Sequence, residues 1–253
     1  MKLNILLLLS LFWFSNILSQ EKKYSVDYTL YFAEPDELES SEYSRVMAQV
    51  YKKSGDIKFN LFVNDSVSYF IVEDGINNSD LSTKLAISKP LYTTPVYSNL
   101  KTDKLYYNNN PNFIFFKENQ YLIEQNAVSN WEIKQETKTI DGRICYKAIS
   151  KDNYYYHNKD KVVYFDVTAW FCPEIPIKAG PVFYNNLPGL IMEISYLDVR
   201  LEATKIKFDF NEKSIKTPKG KSIVDYDEYN KIQEKILKEK YQELEKRERS
   251  RHN

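Results

Sequence analysis

Two histidines, two cysteines and a set of carboxylates are the reactive side chains that this 253-residue sequence offers. His157 sits in a polar, tyrosine-rich stretch, and His252 stands one residue from the end. A Ser-His-Asp or Cys-His site would have to use one of them, and a base so near a chain end is poorly held. Zinc sites want clustered Cys and His, and the sequence has no such cluster. It also lacks a phosphate-cradling Gly-rich loop and a dinucleotide fingerprint. No cofactor, metal or catalytic residue is therefore assigned. Glu174, Glu193, Asp166 and Asp198 are a separate matter, because a glycosidase needs only two acids at the right separation. Spacing along a chain does not establish that separation, and any β protein carries surface acids.

Cys145 and Cys172 are the only cysteines. An antiparallel pairing that sets them opposite each other centres its turn between Asn158 and Lys159, in the middle of the polar run Tyr156 to Asp160. At a non-hydrogen-bonded pair the Cα atoms lie about 4.5 Å apart, near the short end of the disulfide range. A Cys145–Cys172 bond is the expectation, with two buried free thiols as the alternative. No histidine or basic cluster adjoins either one to make a reactive thiolate, so the role is structural.

The elements that must position these residues are mostly strands. Tyr24, Val26, Tyr28, Leu30 and Phe32 alternate with Ser25, Asp27 and Thr29, the pattern of a half-buried strand. From Glu42 to Lys53 the period changes: Tyr43, Val46, Met47, Val50 and Tyr51 fall on one helical face. Ile57–Val63 and Val67–Val72 form a hairpin about Asn64-Asp65-Ser66. Asp74 to Lys84 reads as a loop, and Leu85 to Tyr97 as irregular. Leu105–Tyr107, Phe113–Phe116 and Tyr121–Ile123 are short strands. Ile133–Ile140 and Arg143–Ser150 flank Asp141-Gly142, the strongest hairpin signal in the chain. Val162–Phe171 follows a polar link, and Leu190–Tyr196 pairs with Val199–Phe210. Short links between successive strands argue an antiparallel sheet. Asp225 to Arg251 is a charged helix with a thin stripe of Tyr229, Ile232, Ile236, Tyr241 and Leu244.

Composition narrows the partners. Lysine plus arginine and aspartate plus glutamate each number 35, which gives none of the concentrated basic charge that nucleic-acid binding favours. Residues 1–19 read as a secretory signal peptide: Lys2, an apolar run from Leu3 to Phe14, and Ile17-Leu18-Ser19 before Gln20. That run is short for a bilayer span, and no later stretch is apolar enough for one. The expected mature protein is exported and periplasmic, with a β domain over 20–224 and a charged helix or tail over 225–253. The 21 tyrosines and 14 phenylalanines suit strands with one wet end, and an aromatic sugar-binding platform is the functional alternative.

The stretch Trp170 to Ile191 organises the rest. Pro173, Pro176 and Pro181 forbid a continuous central strand, so the chain must leave the sheet and return after Leu187-Pro188-Gly189. With Trp131, Ile133, Ile140, Gly142, Cys145, Lys147, Ala148, Ala169-Trp170-Phe171, Glu174-Ile175-Pro176, Gly180-Pro181 and Leu187-Pro188-Gly189-Leu190-Ile191, the chain resembles the GLPGLI family, exported proteins of Bacteroidetes named for that hexapeptide. Asn186 stands where the name-giving motif has its first glycine, and asparagine tolerates the left-handed region better than most residues. The resemblance implies no reaction and no catalytic residues. It implies a strongly curved antiparallel sheet, a bowl or half-barrel with a helix on its concave face, similar in outline to periplasmic lipoprotein carriers. The strand pattern and the helix at Glu42 to Lys53 lead to the same fold class, mainly β (α+β).

Three functions follow as expectations. The first is a non-catalytic carrier or binding module for a lipid or other apolar ligand, or for an envelope protein, using Trp170, Glu174, Phe183, Leu187 and Leu190. The second is a carboxylate-dependent enzyme acting on envelope glycans. The third is an interaction module that meets an outer-membrane partner through the C-terminal helix.

Overall fold

The computed structural model describes residues 22–33, 42–76, 80–92, 94–110, 115–156 and 161–251. The expected signal peptide, His157 and His252 lie outside them. In chain order the elements are β1 (Tyr24–Phe32), α1 (Glu42–Tyr51), β2 (Lys58–Val63), β3 (Val67–Val72), α2 (Leu81–Ser88), β4 (Val96–Asn99), β5 (Lys104–Asn108), β6 (Tyr121–Asn126), β7 (Glu132–Ile140), β8 (Arg143–Tyr156), β9 (Lys161–Cys172), β10 (Leu190–Tyr196), β11 (Val199–Lys207), β12 (Ser222–Asp225) and α3 (Tyr226–Arg251). Among the described residues no helix is long and apolar enough to cross a membrane.

All 12 strands join one open sheet in the order β12-β6-β5-β4-β3-β2-β1-β11-β10-β9-β8-β7. Neighbours are antiparallel except β12, which runs parallel to β6. The sheet curls into a half-barrel. Tyr107 of β5 and Asp152 of β8 line one cavity, although eight places separate their strands in the order. In a flat sheet that separation would be about 38 Å, at roughly 4.8 Å per strand.

β1 lies near the centre and pairs with β2 and β11. Its apolar face is buried as its alternation predicts, and Ser25 and Thr29 on the other face are buried too. The inner face holds an aromatic cluster in which Phe59 stacks on Phe70 with centroids 5.0 Å apart and Tyr92 packs on both. α1 covers part of this face, with Met47 and Val50 buried and Tyr51 edge-on to Phe32. The side chain of Tyr43 lies outside the described residues. The β2–β3 hairpin turns at Asn64, whose Oδ1 accepts from the Ser66 and Val67 amides at 2.9 Å. Asp141 and Gly142 both take positive φ, 49° and 73°, as a tight two-residue hairpin requires.

Several expectations are corrected. The expected loop and irregular stretch contain α2. Asp80 caps it, accepting from the Thr83 amide at 2.9 Å and the Thr83 hydroxyl at 2.7 Å. Local side-chain capping of this kind starts a helix without an amphipathic stripe to announce it. Phe115 and Phe116 lie in a turn, not a strand, and Phe113 and Ile114 lie outside the described residues. The described part of the tyrosine-rich link proves to be strand, because β8 runs on to Tyr156 and β9 starts at Lys161. Pairs from Tyr146↔Phe171 to Tyr156↔Lys161 keep one register, the one expected from the cysteine spacing. One further step sets Cys145 opposite Cys172. The disulfide itself is not formed: both thiols are free and buried. The Cys145 Sγ is turned along its own strand toward the Arg143 carbonyl, at 3.7 Å.

The proline-rich crossing is a folded plug. Ile175, Ile177, Ala179, Val182, Tyr184 and Leu187 are buried in the core. The Leu190 amide donates to the Ile175 carbonyl at 2.9 Å and the Ile191 amide to the Ala179 carbonyl at 3.0 Å. Trp131 Nε1 holds it from outside, donating to the Asn185 carbonyl at 2.9 Å. Asn186 has φ 70°, the left-handed conformation that the missing glycine would otherwise supply.

Candidate functional site

A cavity of about 360 Å³ opens where the two ends of the curled sheet approach each other. β5 and β6 contribute Tyr107, Asn108, Ile123 and Gln125, the far end of β8 contributes Asp152, Asn153 and Tyr154, and the crossing contributes Phe183. Tyr226, Tyr229, Asn230 and Gln233 come from α3. Their spacing of three, four and seven places puts them on one helical face. β12 fixes where that helix begins, and Asp225 caps it by accepting from the Glu228 amide at 2.8 Å.

The polar groups are set by burial and by one another. Asp152 accepts from the Tyr184 hydroxyl at 3.0 Å and from the Asn153 amide at 2.7 Å. Burial nevertheless raises its carboxyl above the ordinary aspartate value. Burial likewise pushes the Tyr107, Tyr184 and Tyr196 hydroxyls well above the ordinary tyrosine range, and that of Tyr229 to about 12. The phenols therefore stay neutral, and those of Tyr107, Tyr184 and Tyr196 are hydrogen-bonded. Tyr107 donates to Gln125 Oε1 at 2.8 Å and its ring sits 5.2 Å from that of Phe183. Asp152 is the only acid in the lining, and no lysine or arginine lines it among the described residues.

Of the residues singled out from sequence, Phe183 reaches this cavity. Leu187 and Leu190 are 1% and 0% exposed, inside the core. Trp170 lies on the opposite face of the sheet, with the Lys138 ammonium 4.6 Å from its ring centroid. Glu174 is exposed in the turn after β9. Nor are the other acids gathered into one cleft. Glu193 is buried against Lys138 at 2.6 Å and Arg200 at 3.6 Å. Asp198 accepts from the Tyr51 hydroxyl at 2.8 Å and pairs with Lys89, and Asp166 is exposed. A second depression of about 530 Å³ runs along β7, β8 and β9; Asp166 lies in it with Glu132, Lys147 and Lys151, and the far end of the sheet does not contribute to it.

The sequence reading missed Tyr107, Asp152, Tyr154, Tyr226 and Gln233. The one available signal was the mixed aromatic and amide face at Tyr226, Tyr229, Asn230 and Gln233, which a search for an apolar stripe passes over.

The corner that carries Asp152 and Phe183 is also where a known family is met. Residues 151–193 match a family described as a protein of unknown function (Porph_ging). No curated protein matches the chain. Among solved structures, PNGF-II in a C2 crystal form is 15% identical with a TM-score of 0.52, over 84% of this chain and 32% of that one. A P21 form gives 15% identity and 0.51, over 83% and 33%. The chain thus spans about a third of PNGF-II, and the likeness is one of fold. A LolA superfamily protein, NE2245 from Nitrosomonas europaea, is 10% identical over 77% of this chain and 90% of that one, with a TM-score of 0.29.

Proposed function

We propose that this protein is an exported, non-catalytic binding module of the cell envelope, of the GLPGLI kind that its crossing resembles, and that it takes a small ligand into the cavity between β5, β6, β8 and α3. The observation that carries this reading is the cavity itself. Two distant ends of one sheet, a helix and the buried crossing converge on about 360 Å³, within the size range of ligand sites. At this cavity an enzyme acting through paired carboxylates fits less well, because its described lining offers a single acid; Glu132 and Asp166 share the second depression, beside Lys147 and Lys151. Native mass spectrometry of the chain recovered gently from its own periplasm tests the reading. A small adduct is expected, with occupancy that falls in Tyr226→Ala; a bare chain in repeated preparations would refute it.

One observation favours a second reading. From Lys238 onward the described side chains of α3 are largely exposed, and Tyr241 is 59% exposed. A partner could therefore dock on the outer half of the helix while the inner half closes the cavity. Truncation after Leu237 should abolish capture of such a partner and leave ligand binding intact; a partner still retained would refute this reading.

A further inference from the structure

From the chemistry of the cavity lining, and resting on the binding reading above, we infer that the ligand is a neutral sugar, held by ring stacking on tyrosines and by hydroxyl contacts to side-chain amides. Three properties of the lining select it. Aromatic rings from three separate elements face the same space: Tyr107, Phe183 and Tyr226. The same lining holds the amides of Asn153 and Asn230, each offering both a donor and an acceptor, and Gln125, whose Oε1 accepts from Tyr107 and whose Nε2 adds donors. One carboxylate, Asp152, completes the set.

These properties act by exclusion. An anionic ligand, such as a phosphate, a nucleotide or a fatty-acid headgroup, would find no counter-charge among the described lining residues. An acyl chain would fill the space at the cost of leaving the amides unpaired in an apolar contact, where each lost hydrogen bond counts against binding. A quaternary ammonium would suit the rings and Asp152, yet it makes no hydrogen bonds and would also strand the amides. A pyranose satisfies all three groups. Its C–H faces lie against aromatic rings, its hydroxyls donate and accept in turn, and two adjacent hydroxyls can donate to one carboxylate.

The same lining revises the expectation of an apolar cargo. Ile123, Leu91 and Phe183 are its wholly apolar members, and the rest of its apolar surface belongs to tyrosine rings that carry hydroxyls.

Isothermal titration of the full chain tests this against five probes used separately: cellobiose, maltose, N,N′-diacetylchitobiose, choline, and palmitate. Expected is saturable binding of at least one disaccharide in about the millimolar range, as befits a small polar ligand. It should weaken at least about tenfold in Asn230→Leu and in Asn153→Leu, which keep side-chain size and delete the hydrogen bonds. Thermal melting and far-ultraviolet circular dichroism check that each variant folds, and Asn153, exposed on β8, is the safer of the two. Binding of choline or palmitate with no disaccharide bound would overturn the sugar inference; sensitivity of that binding to the two variants would keep the cavity as the site. Disaccharide binding unchanged in a folded variant would also overturn it, since the sugar would then sit elsewhere. No probe bound, together with a bare chain in the native spectrum, would overturn both readings.

Discussion

At Gly189, φ is 157° and an added Cβ would stand 2.3 Å from the Cys172 carbonyl oxygen and 2.6 Å from its carbon. Both atoms are backbone where β9 leaves the sheet, so neither can move aside. Gly189→Ala should therefore cost at least about 3 kcal/mol, in the range of severe backbone and packing conflicts, as read by urea unfolding. Asn186 presents the opposite case. It is held at φ 70°, and its buried Nδ2 has no partner among the described residues. Asn186→Gly should stabilise the protein by about 1 kcal/mol in the same assay, by removing left-handed strain and an unmatched donor. Asp152 makes a pH prediction. Burial raises its folded-state value above the unfolded one, so the folded protein holds that proton more readily. The destabilisation is absent below the ordinary carboxylate range and grows as pH rises through the raised value. Asp152→Asn should thus melt at or above wild type near about pH 7, and the difference should vanish toward about pH 4. The thiols add a chemical test. The Cys145 thiol is pushed up to about 12 by burial first and by the neighbouring Cys172 second, so it is unreactive as a nucleophile. Iodoacetamide should leave both cysteines unmodified in the native protein and label both in urea without reductant. Failure to label in urea would show that they had bonded.

Elements differ in how they are held, and α3 joins two regimes in one helix. Its first two turns bury Tyr229 and Gln233 and wall the cavity, whereas its distal turns carry intrahelical pairs such as Lys240–Glu243 and Arg247–Glu243. Exposed pairs of this kind contribute only about 0.3–0.5 kcal/mol each. Truncation after Leu237 should leave the melting temperature within about 2 °C, while truncation after Asp225 should lower it by about 5 °C or more, because Tyr229 then leaves Phe116 and Tyr121 uncovered. α2 depends on its cap. Hydrogen bonds from Ser82 and Thr83 hold the Asp80 carboxyl well below the usual range, a contribution present at neutral pH and lost as pH falls through that lowered value.

For the molecule as a whole, the sheet explains why only part of this was legible beforehand. Alternation in β1, the helical period of α1, the Asn64 and Asp141-Gly142 turns and the cysteine register are local patterns, and each matches an observed element or pairing. A strand's period and a turn's φ requirements act over a few residues and do not depend on what lies across the core. The proline spacing likewise dictated that β9 and β10 be separated by a crossing. Other features depended on distant chain. α2 was hidden because a cap, and no stripe, defines it. β12 was hidden because its pairing partner, β6, lies about a hundred residues earlier. The cavity could not be read at all. Tyr107, Asp152, Phe183 and Tyr226 come together only because the strands accumulate enough twist and curl to bring the N-terminal half of the sheet round to the C-terminal half. Trp170 and Leu190 looked as promising as Phe183, yet strand pleat sends Trp170 to the outer face and Leu190 into the core, and the fold of the crossing brings Phe183 to the cavity. Residue type and local spacing determined the strands, turns and crossing of this protein. Tertiary structure alone decided which tyrosines, amides and carboxylate share a site, because sheet curvature sums small rotations over the whole chain and no single segment records it.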